Sequence, residues 1–340
     1  MEDFRMECII LAGGFGTRLR PITYSIPKPI LPLVNTPLLM HIINRLPEEV
    51  DRVVLAVNYK KEMLEQYFQD HEDEIRPEIV LVEETEPLGT GGAIKNCESE
   101  ITGSFLVFNG DVINSLKLKD IIGHHRMKRG VGTLAVWEVT DPTRYGIIGF
   151  SEDHRVSRFL EKPSPQEVFS NFINAGTYVL EPEIMDQITP GRKVSIEREV
   201  YPFVLDQGLY AFPFSGYWVD AGTREDFLNA SKTIMEFGSQ RSGIGDTNQV
   251  HQEAIILPPV VMGNGNIIDN AIIGPYVVLG DNTRVEKDVR IENSTLLDRT
   301  IVRKGAVVQN SIIGVGCTIE ESEVTEDSIL DRSVDADKSK

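Results

Sequence analysis

Residues Leu11 to Pro37 read LAGGFGTRLRPITYSIPKPILPLVNTP. These residue types suit the handling of a polyanion. Gly13, Gly14 and Gly16 let backbone N–H groups approach an anion with no side chain between, and Arg18 can add a charged, forked donor. Pro27 and Pro29 fix φ on both sides of Lys28, which predicts an extended, stiff segment presenting one ammonium. Neither familiar nucleotide loop fits. A Walker loop needs GxxxxGK[ST], and the dinucleotide fingerprint GxGxxG fails because Leu19 stands at its last glycine position.

Further candidates lie downstream. Asp111 ends an aliphatic run in FNGDV, and Asp220 precedes a helix in YWVDAGTREDF, with Thr223 as the expected N-cap. Taken singly, an aspartate at a strand end is more often a turn or cap residue than a metal ligand. Glu161 and Lys162 sit in FLEKPS, Gly146 in RYGIIGF and Asn174 in NFINAG. A Glu-Lys pair alone reads as a solvated ion pair. The stretch IVLVEETEPLGTGGA at 79–93 gathers Glu83, Glu84 and Glu86 before Gly89. This is an acidic turn or, with two adjacent carboxylates, a reader of paired N–H donors.

Taken in order, these stretches closely resemble the sugar nucleotidyltransferases, the nucleoside-diphosphate-sugar pyrophosphorylases, over about residues 6 to 235. The resemblance implies that Leu11, Ala12, Gly13, Gly14, Gly16, Thr17 and Gly89 line the nucleotide. It makes Arg18, Lys28 and Lys162 the cations of the reaction, and Gly146, Glu161, Lys162 and Asn174 the sugar-phosphate contacts. It assigns Asp111 and Asp220 to one Mg²⁺, the implied cofactor; a hard cation is held by few carboxylates plus substrate phosphates. The reaction implied is attack of a sugar 1-phosphate on the α-phosphorus of an NTP, expelling pyrophosphate. A phosphate whose second pKa is about 6 needs no general base for this. ETEPLGT, NFINAG and VSIEREVYPFV look most like mannose-1-phosphate guanylyltransferases. Guanine offers adjacent N1–H and N2–H donors that a carboxylate, Glu83 or Glu84, would accept. Thymine suits an amide, so a glucose-1-phosphate thymidylyl- or uridylyltransferase is the alternative, and a regulatory subunit without activity a further one.

The elements around these residues read as α/β. Apolar runs at 8–12, 53–57, 79–82, 105–108 and 133–137 are continuous rather than alternating, as in strands buried on both faces of a mostly parallel, Rossmann-like sheet. Thr36 and Pro37 predict a helix start before Leu38, Leu39, Ile42, Ile43 and Leu46. In such sheets ligands bind at the carboxyl ends of the strands. We read 1–236 as the nucleotidyltransferase domain, 237–254 as a polar linker and 332–340 as a polar tail. Between them, 255–331 keeps a sixfold period. Ile273, Leu279, Val285, Ile291 and Leu297 are in phase; after a slip, Val302 and Val308, then Ile313 and Ile319, resume it. This resembles a left-handed parallel β-helix. Many hexapeptide proteins are acyltransferases with a histidine base, but all six histidines precede 255, so the repeats are expected to supply an assembly surface, hence a homo-oligomer, and no chemistry.

Composition narrows the class. A net charge of −18 argues against nucleic-acid binding, which needs a basic face. Three widely spaced cysteines suit a reducing compartment. MEDFRMECIILAGG is too acidic and too short in its apolar run for a leader or membrane span. A cytoplasmic enzyme with no membrane partner is expected.

Overall fold

Nine strands form one mixed sheet in the computed structural model, which describes residues 5–238 and 243–331. The chain divides into two compact units, Met1–Gly14 with Ile42–Trp218, and Phe15–His41 with Val219–Lys340.

The first unit holds the sheet. Its path runs Val156–Glu161, Gly146–Phe150, Phe172–Leu180, Phe105–Asn109, Met6–Leu11, Val50–Val57, Glu78–Glu83, with Gly132–Glu138 and Leu209–Pro213 joined beside Phe172–Leu180. The four strands at the Glu78–Glu83 end pair parallel. Phe172–Leu180 is antiparallel to its neighbours, the run in Gly132–Glu138 included, while Gly132–Glu138 pairs parallel with Leu209–Pro213 on its other side, so the sheet is mixed. The run at 79–82, on the edge strand, is half-buried, while the inner runs are buried, with no exposed surface at Ile9, Val54, Phe105 and Val107. Each such side chain contributes roughly 1.5–3 kcal/mol by leaving water. Helix Lys61–Asp70 shows how a flank attaches, burying Leu64 and Phe68 at i, i+4 spacing and leaving its charged face to solvent.

In the second unit, three parallel sheets of short strands stack into a β-helix. Ile273, Leu279, Val285, Ile291, Val302, Val308, Ile313 and Ile319 all face its core, as the hexads require. Two details differ from the sequence reading. Cross-coil bonds join residues 18 apart at Asn248 and Asn266 but 17 apart at Asp281 and Asp298. One residue is thus missing per later coil, and Leu296, not Leu297, packs in that core. Within 237–254, Gly243–Ile244 and Gln249–Val250 pair in register with Val261–Met262 and Ile267–Ile268. Backbone pairing needs no aliphatic hexad, so a polar segment can close a coil. His251 therefore lies within the coils. Its N–H donates to the Ile268 carbonyl at 2.8 Å and its Nδ1 accepts from the Glu253 amide at 3.2 Å. The tail at 332–340 lies outside the described residues.

The second unit also contains the glycine-arginine-lysine segment. Here Pro27 is extended, but Lys28 opens a 3₁₀ turn, with the Leu31 amide on the Lys28 carbonyl at 3.1 Å. The expected extended backbone at Lys28 is thus replaced by a turn, because Pro29 is tolerated at the second turn position, where no amide is needed. Thr36 and Pro37 belong to a two-stranded hairpin with Pro32–Leu33, and the helix begins at Leu38. The Leu38 amide is taken by the Leu31 carbonyl at 3.2 Å, which closes the hairpin before the helix can start. Thr223 does cap Arg224–Phe237, accepting from the Asp226 amide at 3.1 Å. Among the described residues no helix is long and apolar enough to cross a membrane.

Candidate active site

In the first unit the carboxyl ends of the parallel strands carry Leu11, Val57, Glu83 and Asn109. The chain leaves Leu11 through Ala12, whose amide donates to Ala56 at 2.9 Å. A Cβ on Gly13 would lie 2.8 Å from Glu84 Oε1, so Gly13 is required by its neighbours. Gly14 differs: a Cβ there would meet nothing within 4 Å, and the space beside it is open. Gly110 is also forced, since a Cβ would strike the Leu11 carbonyl at 2.7 Å, and its amide donates to that carbonyl at 3.0 Å. Asp111 follows directly in the chain.

Glu83 and Glu84 part company. The Glu83 carboxylate is half exposed and pairs with Lys61 at 3.3 Å. Glu84 is 6% exposed, and its Oε2 accepts from the Leu88 amide at 2.9 Å. It holds the loop at 85–88, which Asn58 also ties by donating to the Glu84 carbonyl at 2.8 Å. Burial pushes the Glu84 carboxyl pKa up, opposed by the Leu88 hydrogen bond. A folded pKa above the ordinary 4.5 means that the contribution to stability is full below that value and is lost as pH rises through the folded one. Glu84→Gln keeps an acceptor for Leu88 and removes the charge. Its melting temperature relative to wild type should therefore rise between about pH 4 and about pH 8. A constant difference would show that Glu84 carries no such penalty.

The GTGG run packs closely against the segment at 192–196. Gly89 has φ +69°, and a Cβ there would sit 2.7 Å from the Val194 carbonyl; at Gly92 it would meet the Arg192 carbonyl at 2.5 Å. The Gly91 and Gly92 amides donate to Val194 at 2.9 and 3.2 Å. Thr90 Oγ1 donates to Glu197 at 2.6 Å and accepts from the Ile196 amide at 3.0 Å. This explains why VSIEREV accompanies EPLGTGG, a link that pattern reading missed although both runs were in view.

Three sugar-phosphate candidates meet on the antiparallel strands of the first unit. A Cβ on Gly146 would lie 2.6 Å from Glu161 Oε2, so Gly146 makes room for that carboxylate. Burial foremost, and Glu197 next, push the Glu161 pKa up, while Lys162 and Arg198 oppose this. Lys162 has φ +53°, a conformation that side chains rarely adopt, held by its amide on the Tyr145 carbonyl at 2.9 Å. Its side chain is 60% exposed, with the ammonium 3.9 Å from Glu161. Strain spent on aiming one exposed cation is typical of working sites. Asn174 lies at an irregularity of strand Phe172–Leu180. It donates to Tyr178 Oη at 2.8 Å and accepts from the Gly176 amide at 3.2 Å. Gly176, at φ +69°, lets Asn109 approach, since a Cβ would fall 2.8 Å from Asn109 Nδ2. Asn109 and Tyr178 lie within the FNGDV and NFINAGTYVL stretches but were not singled out as candidates.

In the second unit Gly16 has φ +60°, and a Cβ would strike Thr23 at 2.8 Å and the Lys28 Cβ at 3.2 Å. Glycine and lysine are therefore coupled by packing, with Thr23 Oγ1 donating to the Gly16 carbonyl at 3.0 Å. Thr17 opens the next turn, which carries Arg18. A Cβ on Gly222 would lie 2.8 Å from both Arg18 Nη2 and Asp220 Oδ1. A guanidinium and a carboxylate are thus kept beside one glycine. Among the described residues no group of three or more His, Cys, Asp or Glu could hold a metal ion.

The chain matches the nucleotidyl transferase family over residues 7–236 and the GMPPB C-terminal domain over 255–339. It is 39% identical over 243 residues to the mannose-1-phosphate guanyltransferase of Kluyveromyces lactis, covering 69% of this chain and 66% of that protein. It is 36% identical over 286 residues to mannose-1-phosphate guanylyltransferase 1 of Arabidopsis thaliana, covering 78% of each. The match thus spans slightly under two thirds of the yeast relative. The crystal structure of HddC from Yersinia pseudotuberculosis superposes with TM-score 0.57 and 31% identity, over 67% of this chain and 99% of that one. The same protein complexed with GMP-PN gives TM-score 0.56 and 30% identity. With a glycine loop, an aspartate after the central strand and matches of this extent, the chain belongs to the nucleotidyl transferase family.

Proposed function

We propose that the protein transfers GMP from GTP to mannose 1-phosphate, giving GDP-mannose and pyrophosphate. The observation that carries the reaction class is the placing of Arg18 and Asp220 beside Gly222, where Arg18 can meet a phosphate and Asp220 can offer a hard oxygen donor to a cation. The relatives named as mannose-1-phosphate guanylyltransferases, and the likeness to a protein crystallised with GMP-PN, support the choice of substrates.

Arg18 and Lys28 would neutralise the triphosphate along the loop from Leu11 to Thr17, with Gly14 leaving backbone open to it. Lys162 would hold the sugar phosphate, and Gly146, Glu161 and Asn174 the sugar. Asp111 and Asp220, one in each unit, are the carboxylates that the resemblance gives to Mg²⁺. Each is a hard oxygen donor of the kind that such a cation takes along with phosphate and water. When bound, Mg²⁺ would supply charge neutralisation at the phosphates. The protein's own cations act at short range, within the roughly 8 Å Debye length of physiological salt, so the acidic total does not prevent anion binding.

Glu84 holds its loop and is closed to a base. The exposed carboxylates on either side, Glu83 and Glu86, are left to accept the two guanine donors. Removing the reading carboxylate leaves those donors underpaired, at roughly 1–3 kcal/mol. Glu83→Gln or Glu86→Gln should therefore narrow the GTP to dTTP ratio of kcat/KM by about tenfold, and Glu84→Gln should not. A ratio that moves only in the Glu84 variant would refute this assignment.

We also read 1–236 as catalytic, 255–331 as the β-helix domain, and the protein as a cytoplasmic homo-oligomer. Ile244, Val250, Ile255, Leu257 and Ile267 are exposed on the coils, which suits a subunit contact. All three cysteines are buried, in keeping with a reducing compartment.

A further inference from the structure

The segment that carries Arg18 and Lys28 packs with the β-helix, within one compact unit. Its hairpin turns at Val34 and Asn35, with φ of 51° and 58°. A β-branched residue rarely adopts this conformation, and it persists only where its surroundings impose it. Here Val34 is wholly buried, and Asn35 Nδ2 donates to the Leu279 carbonyl of the coils at 2.8 Å. At the segment's centre, Ser25 Oγ donates to Asp331 Oδ2. Asp331 is 7% exposed and directly follows the last described strand, Ile329–Leu330. Gly314 lets it sit there, since a Cβ would come within 3.2 Å of Asp331. Ser25 lies between Thr23 and Lys28, the two side chains that a Cβ on Gly16 would strike.

We propose that Ser25, Asn35 and Asp331 are positioning residues, through which the coils set the placement of Lys28 and Arg18 for the reaction. The β-helix then does more than offer an assembly surface. The inference rests on the site reading given under Proposed function. Misplacing a reacting group by about 1 Å can slow a reaction by about a hundredfold. Loss of one support should therefore lower kcat by at least about tenfold. The KM for the sugar 1-phosphate should be unchanged, because its proposed contacts lie in the other unit.

Steady-state kinetics on full-length Asp331→Ala, Ser25→Ala, the double variant and Asp331→Asn test this, each with a thermal melt. Both alanine variants should lose kcat, and the double variant should lose no more than Asp331→Ala, because the two residues act as one link. Asp331→Asn should keep most activity, since its carbonyl can still accept from Ser25. Asn35→Gly keeps the left-handed turn, removes the amide and should also lower kcat; it carries the test if Asp331→Ala does not fold. Wild-type kcat in Asp331→Ala, or additive losses in the double variant, would overturn the proposal. Lys28→Met at wild-type turnover would instead overturn the site reading, and the inference with it.

Discussion

Asp111→Asn is expected to lower turnover by about two to four orders of magnitude while leaving the fold intact. Asparagine matches aspartate in size, and the backbone just before it is tied by the Gly110 amide on the Leu11 carbonyl at 3.0 Å, which the substitution does not touch. What changes is charge. A neutral amide is a poor donor to a hard cation, and a metal bound by one or two carboxylates and phosphates cannot spare one of them. Circular dichroism and melting temperature should match wild type, and the defect should be deepest at limiting Mg²⁺. Wild-type activity at limiting Mg²⁺ would remove Asp111 from the mechanism.

Lys28→Met should be of comparable size, about two to three orders of magnitude in kcat. Methionine fills nearly the same volume and leaves the turn Lys28–Ile30 in place, so the loss reports the ammonium alone. Charge that develops on phosphoryl oxygens in the transition state is stabilised there and weakly in the ground state. Most of the loss should therefore fall on kcat, not on KM for GTP. A change confined to KM would mean that Lys28 merely binds substrate.

Much of this was legible in the sequence because local pattern dictated it. Continuous aliphatic runs located five strands of the sheet, the sixfold period the coils, and Thr223 its cap. What escaped depends on partners far away along the chain. Asn35 meets Leu279 across 244 residues and Ser25 meets Asp331 across 306, distances over which no periodicity carries information. The role of Glu84 was hidden for a related reason, since a carboxylate before a glycine run looks the same whether it faces a ligand or ties down its own loop. The polar segment at 243–250 joined the coils because strand pairing is a backbone property. The Lys28 turn went the other way: a proline on each side restricts φ but does not decide between extended chain and 3₁₀ turn.

The claim that this chain is a sugar-1-phosphate guanylyltransferase is tested most directly by pyrophosphate release. The wild-type protein is incubated with Mg²⁺, each nucleoside triphosphate in turn and a panel of hexose 1-phosphates. GTP with mannose 1-phosphate should give the highest kcat/KM, with one GDP-mannose formed per pyrophosphate. A preference for dTTP or UTP would contradict the guanylyl assignment, and no pyrophosphate from any pair would contradict the account as a whole.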